Sequence, residues 1–213
     1  MENYEIADNA VSVNINVNAH SSIQIDDMFF DPYLTDNLGK KAKYIFLTHT
    51  HYDHLSEKDI DNVITPKTKI IAPVSAKGNL TKYKNKKIFV EPNESYNLDD
   101  FEFSTMPAYN LDKDFHKKSF NWVGYKITRN EVTYAILGDT DATPELEHLK
   151  CDILFIPIGG TYTMDALQAA ELTNKIKPQI AIPVHYGSIV GTSDDAKLFA
   201  SKLDDDILCK TFF

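Results

Sequence analysis

Thr48-His49-Thr50-His51-Tyr52-Asp53-His54 follows directly on the apolar run Tyr44-Ile45-Phe46-Leu47, and it packs three imidazoles and a carboxylate into six residues. The apolar run predicts a β-strand over Tyr44 to Thr48, so the polar cluster lies in the loop that leaves it. On an extended backbone His49 and His51 project to the same side, where their rings converge on one cation. The turn that follows brings Asp53 and His54 in from another direction. With seven His and 21 Asp in 213 residues, a chance H-x-H-x-D-H has a probability of roughly 7 in 10,000. Metal binding therefore explains the segment better than an exposed polar loop.

Outward from this segment the chain reads as many short strands with a few helices between them. Val11, Val13, Ile15 and Val17 alternate with Ser12, Asn14, Asn16 and Asn18, the period of a half-buried strand. Further strands are predicted at Ser22 to Ile25, Lys69 to Ala72, Lys87 to Val90, Phe101 to Thr105, Trp122 to Thr128, Val132 to Leu137, Ile153 to Ile158 and Ile180 to Val184. Arg129-Asn130 is placed at a hairpin turn. Helices are expected over Glu57 to Ile64, behind a Ser56 cap, over Asp165 to Ile176 and over Asp194 to Leu203. No Pro/Gly/Ser linker or internal repeat divides the chain, which argues for one layered α/β or α+β domain over residues 1–213.

Composition narrows the classes. A formal net charge of -9 disfavours broad binding to phosphate backbones or anionic membranes. The start, MENYEIADNA, lacks a basic, apolar leader, and no apolar run is long enough to span a bilayer, so a cytoplasmic protein without a membrane partner is expected. Cys151 and Cys209 form no CxxC pair and are expected as reduced structural residues.

His49-x-His51-x-Asp53-His54 after a β-strand resembles the signature of the metallo-β-lactamase-fold hydrolases. The resemblance covers nearly the whole chain: Leu137-Gly138-Asp139-Thr140 matches the segment with the bridging aspartate, and Ile182-Pro183-Val184-His185-Tyr186-Gly187 matches the last histidine. Within that superfamily the chain is most similar to the small L-ascorbate-6-phosphate lactonase-like group. Ala19-His20-Ser21, Phe30-Asp31-Pro32, Pro157-Ile158-Gly159-Gly160 with Thr163-Met164, and the Pro-x-His-Tyr-Gly ending carry that likeness. The resemblance implies a four-layer αββα sandwich and a centre of one or two divalent cations.

One segment departs from the pattern. Where relatives often have Pro-Ala-x-His, this chain reads Pro107-Ala108-Tyr109-Asn110. His116, six residues on, is favoured over Asn110 for the missing position, because a loop of that length spans the gap and imidazole binds transition metals better than a neutral amide. The implied sets are His49, His51 and His116 for the first cation, and Asp53, His54 and His185 for the second, with Asp139 bridging. Read without the resemblance, Asp139 is equally well a turn residue and His185 a core histidine. His20 is expected either to contact substrate or to make a structural hydrogen bond. Tyr109, Asn110, Tyr162 and Tyr186 are candidate substrate contacts, and His148 a surface residue.

The implied chemistry is hydrolysis by a metal-bound hydroxide, since a divalent cation lowers the pKa of bound water to about 7. Asp53 then orients the water and carries a proton to the leaving group. Donors without thiolate suit zinc or manganese first, and iron or nickel also. The oxygen- and nitric-oxide-reducing diiron branch is disfavoured, because it resembles a version with glutamate in place of His51 and an attached flavin domain. The expected substrate is a small phosphorylated or carboxylated ester or lactone. Backbone N–H groups of Gly159 to Thr163, ahead of the helix at Asp165, favour such an anion. The alternative is a phosphodiesterase or nuclease acting on nucleotides, RNA or DNA, suggested by Lys77, Lys82, Lys84, Lys86 and Lys87 and by Lys113, Lys117 and Lys118 near His116. Arg129 is the one arginine, which weakens a nucleic-acid reading. A metal-binding protein without activity is a third class, and a homo-oligomer is left open.

Overall fold

In the computed structural model, which describes residues 2–6, 9–39, 41–99 and 101–213 (the backbone alone for residues 2–6 and 9–12), the strands form two seven-stranded sheets, each ordered as its strands occur in sequence. The first holds β1 (Glu2–Ile6), β2 (Asn9–Ala19), β3 (Ser22–Ile25), β4 (Met28–Phe30), β5 (Ala42–Phe46), β6 (Ile64–Pro73) and β7 (Lys87–Val90). The second holds β8 (Ser95–Leu98), β9 (Phe101–Pro107), β10 (Val123–Arg129), β11 (Val132–Ile136), β12 (Ile153–Pro157), β13 (Ile180–Val184) and β14 (Leu208–Cys209). Both follow one plan. β1 to β4 and β8 to β11 are antiparallel, while β4 to β7 and β11 to β14 are parallel.

Parallel strands need crossovers, and these supply the helices. α1 (Glu57–Val63) joins β5 to β6, α2 (Ala166–Ile176) joins β12 to β13, and α3 (Ser193–Ala200) joins β13 to β14. Alternate residues of each parallel strand then serve two cores. On β5, Tyr44 and Phe46 point between the sheets and Ile45 points under α1. On β12, Ile153 and Phe155 face the other sheet, and Leu154 and Ile156 face α2 and α3. This is the expected helix–sheet–sheet–helix sandwich, and it explains why these strands read as continuous apolar runs.

The alternation of β2 appears as Val13, Ile15 and Val17 buried with Asn14 exposed; the side chain of Val11 lies outside the described residues. β1, β4, β8 and β14 were not predicted: β4 and β14 have three and two residues, too few for a periodicity to register. The hairpin turn falls on Asn130-Glu131, both left-handed, one residue beyond the predicted pair. Cys151 and Cys209 are free thiols, and no helix among the described residues is long and apolar enough to cross a membrane.

Candidate metal centre

The segments singled out in the sequence meet at one end of the sandwich. His49, His51, Asp53 and His54 follow β5, Asp139 follows β11 and His185 follows β13, at the carboxyl ends of parallel strands where α/β sheets place their ligands. His116 arrives on the β9–β10 loop, and His20 sits in the turn between β2 and β3. Two of these residues hold left-handed backbone, His20 at φ 53 and His185 at φ 60, and they are tied together by His185 N–H donating to His20 C=O at 2.9 Å. Such conformations persist only where the surroundings over-determine them.

Three of the rings are held from behind at Nδ1. The Thr48 hydroxyl spends its one proton on Asp31 Oδ2 at 2.6 Å, so toward His49 Nδ1 at 2.9 Å it accepts, and Nε2 of neutral His49 is left as a bare lone pair. His54 Nδ1 donates to Asp31 Oδ2 at 2.8 Å. His116 Nδ1 donates to Asn110 Oδ1 at 3.0 Å; the amide orientation follows because Asn110 Nδ2 donates to Tyr162 C=O at 2.9 Å. Each Nε2 therefore turns inward. His49 Nε2 meets His51 Nδ1 at 3.1 Å.

Asp139 is the common neighbour. Its Oδ2 lies 2.8 Å from His185 Nε2, 3.2 Å from His116 Nε2 and 3.9 Å from His49 Nε2, and its Oδ1 lies 3.4 Å from His54 Nε2. Burial alone would raise its pKa, yet His185 and His54 hold it well below the usual carboxylate range. Asp53 is held low in the same way: burial is outweighed by the hydrogen bond from His20 Nε2 to Oδ2 at 3.0 Å and by His54. His20 is pushed down to about 4 by burial, so it is neutral and donates through Nε2–H.

These residues fit a cation. His54 Nε2, His116 Nε2, Asp139 Oδ1 and both ring nitrogens of His185 are buried without a hydrogen-bond partner. The close approaches to Asp139 are ion-pair distances that lack hydrogen-bond alignment. Buried polar atoms are normally satisfied, and leaving one unpaired costs about 1–3 kcal/mol. Two donor groups that share no residue lie close enough for a shared ion, His49–His51–His116 and His20–Asp53–His54–His185, and a third, Asp31–His49–His54, overlaps both. The structure thus brings all seven expected ligands together and adds His20 to the second group, hydrogen-bonded to Asp53.

The candidate substrate contacts divide. His51, Asp53, His116, Asp139, His185 and Tyr162 line a cavity of about 210 Å³, with Tyr52, Phe115 and Ile189. Asn110 carries His116. Tyr109 and Tyr186 are not among the residues that line the cavity: the Tyr109 hydroxyl donates to Glu145 at 2.9 Å, and that of fully buried Tyr186 to Phe213 C=O at 2.9 Å. His20 is wholly buried behind Asp53. His148 is exposed, as expected.

Ahead of α2, part of the expected anion site is occupied by the chain's own groups. Asp165 caps that helix, accepting from Leu167 and Gln168 N–H at 2.9 and 2.8 Å, while Gly160 N–H donates to Met164 C=O. Thr161 N–H likewise donates to Gly159 C=O, and the Asp165 carboxylate adds a negative charge at the start of the helix.

Sequence reasoning missed three supports. Asp31, quoted only as part of a motif, fixes both Thr48 and His54. Trp122 lays its ring 4.7 and 4.8 Å from His49 and His51, closing one side of the first group. Gly159 stands where any side chain would meet His185. The only Trp of the chain was a signal available for the second; the others depend on contacts between distant segments.

The family pattern described as a beta-lactamase superfamily domain matches residues 12–185. A UPF0173 protein of Pyrococcus abyssi is 32% identical over 176 residues, 78% of each chain. A UPF0173 metal-dependent hydrolase of an Exiguobacterium species is 24% identical over 216 residues, 90% of this chain and 93% of its own. Among solved structures, a candidate metal-dependent hydrolase from Parabacteroides distasonis superposes with a TM-score of 0.83 at 27% identity, covering 99% of this chain and 96% of that one. The metallo hydrolase Igni18 from Ignicoccus hospitalis shares the fold, with a TM-score of 0.75 at 20% identity over 93% and 94% of the two chains.

Proposed function

Because the chain belongs to the beta-lactamase superfamily, within the UPF0173 group, we propose that it is a metal-dependent hydrolase acting on small esters or lactones. The observation that carries this reading is the inward turn of Nε2 on His49, His54 and His116, each ring anchored at Nδ1, around the carboxylate of Asp139. His49, His51 and His116 would hold one divalent cation, and Asp53, His54 and His185 a second, with Asp139 shared. Bound there, a divalent cation acidifies water and polarises a carbonyl or phosphoryl oxygen. Nitrogen and oxygen donors without thiolate support zinc or manganese, and are compatible with iron or nickel.

The chain's own groups supply the rest. Asp53 lines the cavity with one oxygen committed to His20, so its carboxylate is ionised and fixed in rotation. It accepts a hydrogen bond from the attacking water, orients it, and passes a proton toward the leaving oxygen. His20 acts through Asp53 as a positioning residue. A ligand carboxylate that also borders open space favours catalysis over storage. The likeness to lactonase-like proteins in His20-Ser21 and Phe30-Asp31-Pro32 supports an ester or lactone. Phosphodiester hydrolysis is the alternative, and the lysines at 77–87 that favoured it do not line the cavity.

Protein purified without a nickel column, analysed for metal and loaded with zinc or manganese, is expected to hydrolyse a 4-nitrophenyl ester or dihydrocoumarin. Asp53→Ala is expected to lose roughly 100-fold or more, the span of a positioned acid–base group, with the melting temperature retained. A preference for bis(4-nitrophenyl) phosphate would move the assignment to phosphodiesters, and no hydrolysis of any of the three would refute the catalytic reading.

A further inference from the structure

The wall of the cavity changes character from floor to rim. His51, Asp53, His116, Asp139 and His185 form the floor, while Tyr52, Phe115, Tyr162 and Ile189 form the rim. Tyr52 is 68% and Phe115 45% exposed. Scattered apolar side chains are ordinary on a surface, but four converging on one opening are not. Phe115 meets Tyr162 edge to face at 4.7 Å and 89°, so this part of the rim is a preformed aromatic wall.

Positive charge is lacking at the same place. None of the described residues that line the cavity is a lysine or arginine. The lysines that flank His116 in sequence are occupied: Lys113 pairs with Asp141 at 2.5 Å, Lys117 with Asp114 at 3.1 Å, and Lys118 with Glu145 at 2.7 Å while lying over the Tyr109 ring at 4.5 Å. Lys82, from the other cluster, spans Glu57 and Asp61. In the first turn of α2 the N–H groups of Leu167 and Gln168 are capped by Asp165, and ahead of it those of Gly160 and Thr161 donate to Met164 C=O and Gly159 C=O. An anionic substituent remote from the scissile bond would therefore lose hydration at this rim and find no Lys or Arg to pair with.

We propose that the substrate carries, beside its scissile ester or lactone bond, an uncharged aromatic or alkyl group that seats against Phe115, Tyr162, Tyr52 and Ile189. This rests on the hydrolase reading above and replaces the anionic substituent expected from sequence. The test compares 4-nitrophenyl butyrate with 4-nitrophenyl hemisuccinate, whose acyl chains have equal length and differ by a terminal carboxylate, on the zinc- or manganese-loaded protein. kcat/KM is expected to be about 10-fold or more higher for the butyrate. Phe115→Ala should lower the butyrate value about 10-fold, through KM, the scale of one buried aromatic contact, and Phe115→Leu should retain most of the preference. Equal rates, a preference for the hemisuccinate, or an unchanged KM in Phe115→Ala would overturn the proposal while leaving the hydrolase reading in place. Hydrolysis of neither ester would remove both.

Discussion

Replacing Asp139 by alanine is expected to halve the bound metal or worse and to slow hydrolysis by about 1,000-fold or more. The several kcal/mol that a bound cation contributes to a hydrolytic transition state correspond to that factor at 1.36 kcal/mol per decade. The size of the effect follows from position: one carboxylate lies within 3.9 Å of Nε2 of His185, His116, His49 and His54, which come from three separate loops and both donor groups. No neighbouring acid substitutes for it, since Asp31 is committed to Thr48 and His54, and Asp53 to His20. Asp139→Asn separates charge from shape: it keeps the volume and removes the anion, and it is expected to lose metal nearly as severely. Elemental analysis with the ester assay checks both variants. Metal content and rate within twofold of wild type would mean that Asp139 is not the shared ligand.

Gly159→Ala, a single added methyl, is expected to lower the melting temperature by roughly 3–10 °C and to displace His185. A Cβ at this position would stand 2.4 Å from His185 O, 2.7 Å from Val190 Cγ2 and 2.9 Å from His185 Nδ1. Two of those atoms are backbone or ring and cannot swing away, and overpacking of this kind costs about 1–3 kcal/mol, worth about 2–4 °C each at this chain length. His185 has little freedom to absorb the shift, because its left-handed backbone is pinned to His20 C=O. Gly78→Ala is the control, with nothing within 4 Å of the added atom. Calorimetry on both variants, with metal analysis, tests the claim. An unshifted transition with full metal content in Gly159→Ala would show that the loop after β12 does not clamp the last histidine.

Local features of this site were legible in the sequence and remote ones were not. His49, His51, Asp53 and His54 could be read directly, because one strand and one turn determine how those side chains converge. Asp139 and His185 had ordinary local explanations and were selected only by their order in a resembling pattern. The choice of His116 for the position of the missing histidine followed from donor chemistry, but the part played by Asn110 did not: it anchors the His116 ring. Asp31, Trp122 and Gly159 owe their roles to segments 17 or more residues away, and no periodicity reports such an approach. The repeated plan of the two sheets was equally hidden, since strand order and direction are set by crossovers and not by a sequence period.

The central claim is that two cations sit between these donors. Anomalous diffraction from crystals grown with zinc or manganese tests it most directly. One peak is expected among His49, His51 and His116 and another among Asp53, His54 and His185, with Asp139 reaching both. A peak coordinated by Asn110 in place of His116, or a saturating metal concentration that leaves both groups without density, would contradict the account.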